Sequence, residues 1–284
     1  MISEFFGKMV GTVPPIQEAI FNRLNQADPF EPAKLIKKNY VFGKMISEFF
    51  GKMVGTVPHI QKAIFNRLNQ ADLFEKGKLI KDNYVFVVMP DKIQRTVDEK
   101  TPLDLDVNEN LIKLPPGTAI VKHDLVIPFS LKNLRMLCAY PLKGKENTPV
   151  FDKNFSDAVF NHCNSHPDKV TVYFMRKRVA DQSRNQSYAA QQEIVKSEEF
   201  EVTPLRERAL LDSVMILKSG TCPDNRNPPI FARTRDAVLY GSDVYQSVVG
   251  GFAPRVGVCV SYDDYVAHDY FGVVPGVPAE VLRP

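Results

Sequence analysis

The chain has 284 residues, 44% of them hydrophobic and 24% charged, a composition that excludes a disordered or fibrous class. Its net charge of +3 is unevenly placed: residues 1–86 hold twelve Lys or Arg against eight Asp or Glu, giving +4 there and −1 in the remainder. A whole-domain footprint for nucleic acid needs a larger clustered excess, and no stretch approaches the roughly 18 apolar residues of a membrane span.

The first 86 residues are a tandem duplication. Met1–Phe42 and Met45–Phe86 align at an offset of 44 and differ only at Pro15/His59, Glu18/Lys62, Pro29/Leu73, Pro32/Lys76, Ala33/Gly77 and Lys38/Asp82. Solenoid repeats diverge further than this and normally need three or more units to share a core. Residues 1–44 therefore read as an extra copy, 45–86 as a second copy integral to the body, and 87–284 as a β-rich α+β domain. The second copy has its own methionine, Met45, which suggests an ancestral chain of residues 45–284.

Within the second copy, Ile46, Phe49, Phe50, Met53 and Val54 fall at i, i+3, i+4, i+7 and i+8, the stripe of an amphipathic helix, with Ser47 placed to cap it. Pro58 then opens a second helix carrying Ile60, Ile64 and Leu68, so each copy is expected to form a helical hairpin. Asn83 to Pro90 is rich in β-branched and aromatic residues and reads as a buried strand. The first copy has Pro29 and Pro32 after its second helix, and Gly43-Lys44 in place of the continuing strand. Two near-identical segments cannot fill one site. Burying each large apolar side chain stabilises by about 1.5–3 kcal/mol. Ile2, Phe5, Phe6 and Met9, with Ile46, Phe49, Phe50 and Met53, are thus the expected interaction residues of a homo-oligomer or a protein partner.

Beyond residue 87, strands are expected at Thr118–Phe129, Leu134–Tyr140, Lys169–Arg178, Leu210–Lys218, Pro229–Tyr240 and Arg255–Tyr262. Helices are expected at Asn154–Ser165 and Tyr188–Ser197. Residues 179–208 read as a long surface excursion, and Gly272–Pro284, with its prolines, as an extended tail lying over a neighbour. The fold class is α+β: a duplicated N-terminal helical hairpin segment followed by a β-rich mixed body.

Several clusters could carry chemistry. His162 and His166 stand one helical turn apart, as two metal ligands would, but no third ligand follows at a recognisable spacing; Cys163 is a candidate catalytic nucleophile beside His162, although adjacent helix residues point in different directions. Asp263, Asp264 and His268 form the densest ionisable group, and a hydrolytic or metal site there requires them to converge. An exposed turn explains the same letters. Lys218-Ser219-Gly220-Thr221-Cys222-Pro223 could offer backbone N–H groups to a phosphate but lacks P-loop spacing, and Gly250-Gly251-Phe252 lacks a dinucleotide fingerprint; both read as turns. Arg176-Lys177-Arg178 follows Tyr173-Phe174, a pairing of cations and aromatics that grips single-stranded nucleic acid, although such a short run is commonly a solvated strand end.

Four scattered cysteines, Cys138, Cys163, Cys222 and Cys259, form no Cys-x-x-Cys pair, and Glu4 and Lys8 interrupt the first apolar run. The expectation is an intracellular, cytoplasmic protein with no signal peptide, no cofactor and free thiols. Its leading function is non-enzymatic interaction through the duplicated segment. A metal-dependent hydrolase at Asp263/Asp264/His268 and a nucleic-acid binder at Arg176–Arg178 are the alternatives.

Overall fold

The structure is a computed structural model that describes residues 41–54, 84–97, 106–107, 110–111, 123–142, 170–197, 200–224, 230–240, 242–251, 258–263 and 267–278. In chain order its elements begin with α1 (Val41–Phe49), β1 (Lys52–Val54), β2 (Tyr84–Met89), β3 (Lys92–Val97), β4 (Asp106–Val107), β5 (Asn110–Leu111), β6 (His123–Pro128), α2 (Leu131–Ala139) and β7 (Thr171–Arg176). They continue with α3 (Tyr188–Ser197), β8 (Glu201–Val202), α4 (Leu205–Ser219), β9 (Phe231–Tyr240), β10 (Asp243–Gly251), β11 (Val258–Asp263), β12 (Phe271–Val273) and β13 (Pro275–Pro278). Helices and largely antiparallel sheets make this an α+β protein. The sheets run β1-β3-β6, β2-β7-β13-β8 and β11-β10-β9-β12, with a β4-β5 pair. Among their pairings only β12 with β9 is parallel.

The stripe expected to run as one helix to Val54 is broken. Phe50 and Gly51 both donate their N–H to Ile46 O, and Gly51 sits at φ +139, a backbone state that favours glycine. A Cβ there would lie 2.6 Å from Gln94 O. The chain therefore turns after Phe50, and Lys52–Val54 pairs with β3 as a strand. Ser47 lies inside α1 rather than ahead of it. The second helix expected around Pro58 to Leu68, the first copy up to Tyr40 and the Asn154–Ser165 helix lie outside the described residues, while the last residues of the first copy, from Val41, begin α1.

Two expected strands are helices. Leu134–Tyr140 belongs to α2, whose start is set by Ser130: its hydroxyl accepts from Asn133 N at 3.1 Å, and Asn133 Nδ2 donates to Pro128 O at 2.8 Å. Leu131, Leu134, Leu137 and Cys138 are buried at helical spacing. Leu210–Lys218 belongs to α4, the central helix, which contacts α1, α2, β2, β9, β10 and β11. Surrounded in this way, α4 buries residues all round, and a short apolar run gives no period by which to tell a buried helix from a buried strand. Gly220 at φ +74 ends it, donating its N–H to Ile216 O.

The expected strands over Lys169–Arg178 and Pro229–Tyr240 contain β7 and β9, and Tyr188–Ser197 is α3. In β2, Tyr84, Val85, Val87, Val88 and Met89 are buried, and Tyr84 stacks on Phe174 and Phe200 with centroids 5.1 and 5.4 Å away. Residues 179–208 are not a surface excursion: they hold α3, β8 and the start of α4, with Ser183, Gln191 and Arg208 fully buried. Nor does Gly272–Val277 lie loosely over a neighbour. It is buried, with β12 beside β9 and β13 between β7 and β8, so that this segment joins two sheets. Gly250 and Gly251 lie within β10 instead of a turn.

Candidate functional site

Arg208 on α4 is fully buried and meets two buried carboxylates. Its Nη2 lies 2.8 Å from Asp212 Oδ1, one helical turn on, and 2.8 Å from Asp224 Oδ2. Its Nη1 donates to Lys177 O at 2.8 Å, while Val179 N–H donates to both Asp224 oxygens at 3.2 Å. Burial works against the guanidinium charge, but Asp212 and Asp224 outweigh it and hold the Arg208 pKa above its ordinary value. One cation facing two carboxylates leaves a net negative charge in the interior. Burial pushes the Asp212 carboxyl up to about 7 despite Arg208, so a proton there brings the cluster to neutrality. Burial likewise raises the thiol pKa of neighbouring Cys222.

This network ties three pieces of chain together: the segment after β7, the body of α4 and the loop that follows it. A consequence is visible at the surface. Lys177 is half-buried, and after burial itself the groups that most lower its pKa are the cations Lys218 and Arg178. Lys177 and Lys218, which stand in two motifs legible separately in the sequence, thus lie near enough for their charges to repel one another. Arg178, Lys218, Ser219 and Thr221 are exposed, and the Ser219 and Thr221 hydroxyls lie 3.1 Å apart. Among the described residues no carboxylate forms an ion pair with Lys177, Arg178 or Lys218. Three cations without a paired carboxylate among the described residues, with the Ser219 and Thr221 hydroxyls following Lys218 along the chain, are suited to contact with anionic oxygens.

A second polar group lies where the β2-β7-β13-β8 sheet meets β9. Tyr173 Oη donates to Glu201 Oε1 at 3.3 Å, and Arg235 Nη1 reaches the same oxygen at 2.8 Å while its guanidinium lies 5.8 Å from the Tyr173 ring centre. The Tyr173 hydroxyl is pushed up, by burial first and against Arg235, with Glu207 and Glu201 adding to the rise. Asp236 on β9 accepts from Leu205 N–H and so caps α4. These groups hold the sheet to the helix. Arg208, Asp212 and Asp224 escaped the sequence reading, although Arg208 and Asp212 at i, i+4 inside an apolar run are a signal for a buried pair.

The remaining expected site residues fall as follows. Asp263 is the last residue of β11, and Asp264 lies outside the described residues, as do His162, Cys163 and His166. His268 is half-buried with its ring stacked on Tyr270 at 4.8 Å and near Phe271 at 5.9 Å. Among the described residues no three His, Cys, Asp or Glu side chains are disposed to hold a metal ion. Cys138 and Cys222 are free and buried. Ile46, Phe49 and Phe50 are buried in this chain's own core and Met53 packs against it, whereas Ile2, Phe5, Phe6 and Met9 lie outside the described residues. No described helix is long and apolar enough to cross a membrane. No protein-family model, curated protein or solved structure matches the chain.

Proposed function

We propose that this α+β protein is a non-enzymatic binding protein for phosphate-bearing polyanions, with nucleic acid as the ligand class, acting through Lys177, Arg178, Lys218, Ser219 and Thr221. The observation that carries this reading is that Arg208 and Asp224 tie the Lys177–Val179 segment to α4 and the loop after it, with Lys177 O 2.8 Å from Arg208 Nη1 and Val179 N 3.2 Å from Asp224, and Lys218 near enough to Lys177 to repel it. A bound phosphate relieves that repulsion, and neighbouring hydroxyls add neutral donors to its oxygens. A three-residue basic run alone is a solvated strand end; a fourth cation arriving from the end of α4 makes it a patch. The +4 carried by residues 1–86 adds long-range attraction for the same class of ligand.

Fluorescence anisotropy with a labelled single-stranded oligonucleotide, repeated over a series of salt concentrations, tests the proposal. Affinity is expected to fall linearly on a log–log plot. Replacing Lys177, Arg178 and Lys218 by Ala is expected to flatten that slope by about 2, at roughly 0.7 for each phosphate of the single strand that the variant no longer neutralises. No binding at low salt, or an unchanged slope in the triple variant, refutes the reading.

A further inference from the structure

A separate observation, independent of anion binding, concerns the groove that receives the second copy. There Met45, Ile46, Phe49 and Phe50 are buried, and the Phe50 ring lies 5.8 Å from that of Phe129. α1 packs on α4 and β2, and Lys52, Met53 and Val54 pair with Gln94, Ile93 and Lys92. All ten residues Met45–Val54 recur letter for letter as Met1–Val10. The described residues thus hold one such groove, and the chain holds two identical segments able to make its contacts, including the glycine that the turn requires, Gly51 in one and Gly7 in the other.

We propose that Met1–Val10 of the same chain is a second occupant of this groove, exchanging with Met45–Val54. Ile2 takes the place of Ile46, Phe5 of Phe49, Phe6 of Phe50, and Lys8–Val10 the place of β1 beside β3. Two physical terms make the second copy the resident and the first the reserve. Only 29 residues separate Val54 from Tyr84 in β2, whereas 73 separate Val10 from it. Closure probability falls with roughly the 3/2 power of loop length, which disfavours the first copy about four-fold. Val41–Lys44 supply a helical turn ahead of Met45, which lengthens the helix beyond the residues that the two copies share. Covalent attachment gives the first copy a local concentration on the order of millimolar, so it outcompetes the same segment of another molecule at ordinary protein concentrations.

The test uses four full-length chains compared by urea unfolding, hydrogen exchange in α4 and light scattering. The chain with Ile46→Asp and Phe50→Asp is expected to remain a cooperatively folded monomer, its folding constant reduced by more than about four-fold. Adding Ile2→Asp and Phe6→Asp to it is expected to abolish the cooperative transition. Ile2→Asp with Phe6→Asp alone is expected to leave the unfolding midpoint of the parent chain unchanged. The proposal is overturned if the resident-copy variant is as unfolded as the quadruple variant, if the quadruple variant stays folded, if rescue appears only in a dimer, or if the first-copy variant alone unfolds.

Discussion

Replacing Arg208 by Met tests the buried ionic network most directly. The substitution keeps much of the side chain's length and apolar stem but removes the cation from between Asp212 and Asp224, each 2.8 Å away, and the donor to Lys177 O. Breaking a buried pair by deleting one partner costs about 3–5 kcal/mol, because the other partner is left charged in the interior. The cost depends on pH, since Asp212 is pushed from 3.8 to about 7 by burial, against the pull of Arg208. Between those values the folded chain holds a proton that the unfolded chain has released, so the stability of the parent protein falls as pH rises from about 4 to about 7, then levels off. At about 1.4 kcal/mol for each pKa unit, the fall amounts to about 4 kcal/mol. Arg208→Met is expected to lose about 3–5 kcal/mol at pH 8 and less at pH 5, where Asp212 is already neutral. Asp212→Asn is expected to flatten the parent's pH dependence. Urea unfolding from pH 4 to 9 measures both. A loss below about 1 kcal/mol at pH 8 for Arg208→Met, or stability that rises through this window in the parent, refutes the reasoning.

Two further substitutions probe the frame around the site. Gly51→Ala places a Cβ 2.6 Å from Gln94 O in a positive-φ backbone, so a loss of at least about 2 kcal/mol is expected in thermal or urea unfolding, and a neutral result contradicts the described turn. Gln191 is fully buried; it accepts from Arg233 Nη1 at 3.2 Å and donates to Ser183 O and Phe271 O at 2.8 and 3.3 Å. Gln191→Met leaves those groups short of partners and is expected to cost about 2 kcal/mol, with increased hydrogen exchange at Phe271–Val273; unchanged exchange there counts against Gln191 as the tie between α3 and β12.

How much was legible from sequence depended on whether local pattern and tertiary setting agreed. β7 and β9 were readable as dense β-branched and aromatic runs, and α3 as a helix. α2 was misread although its Ser130 cap and its buried Leu131, Leu134 and Leu137 carry a helical signature, because Met136 and Cys138 fill the gaps and blur the period. α4 was misread for a deeper reason: surrounded on all sides, it needs no polar face. Half of the cationic cluster was visible as Arg176–Arg178. Its other half, Lys218 with Ser219 and Thr221, was visible only as a turn, because the connection between them runs through Arg208 and Asp224.

The sequence alone determined the duplication, residue by residue, and with it the identity of Met1–Val10 and Met45–Val54. What it left undecided is clearest in one repeated string. Tyr40-Val41-Phe42 and Tyr84-Val85-Phe86 are the same three letters, yet Val41-Phe42 begins α1 whereas Tyr84–Phe86 begins β2. After Phe86 come Val87, Val88 and Met89, which extend a strand that β7 is positioned to pair; after Phe42 come Gly43 and Lys44, then the residues whose helical face α4 and β2 bury. Intrinsic preference differs by less than about 1 kcal/mol between such states, less than the burial of a single large side chain, so tertiary packing makes the choice.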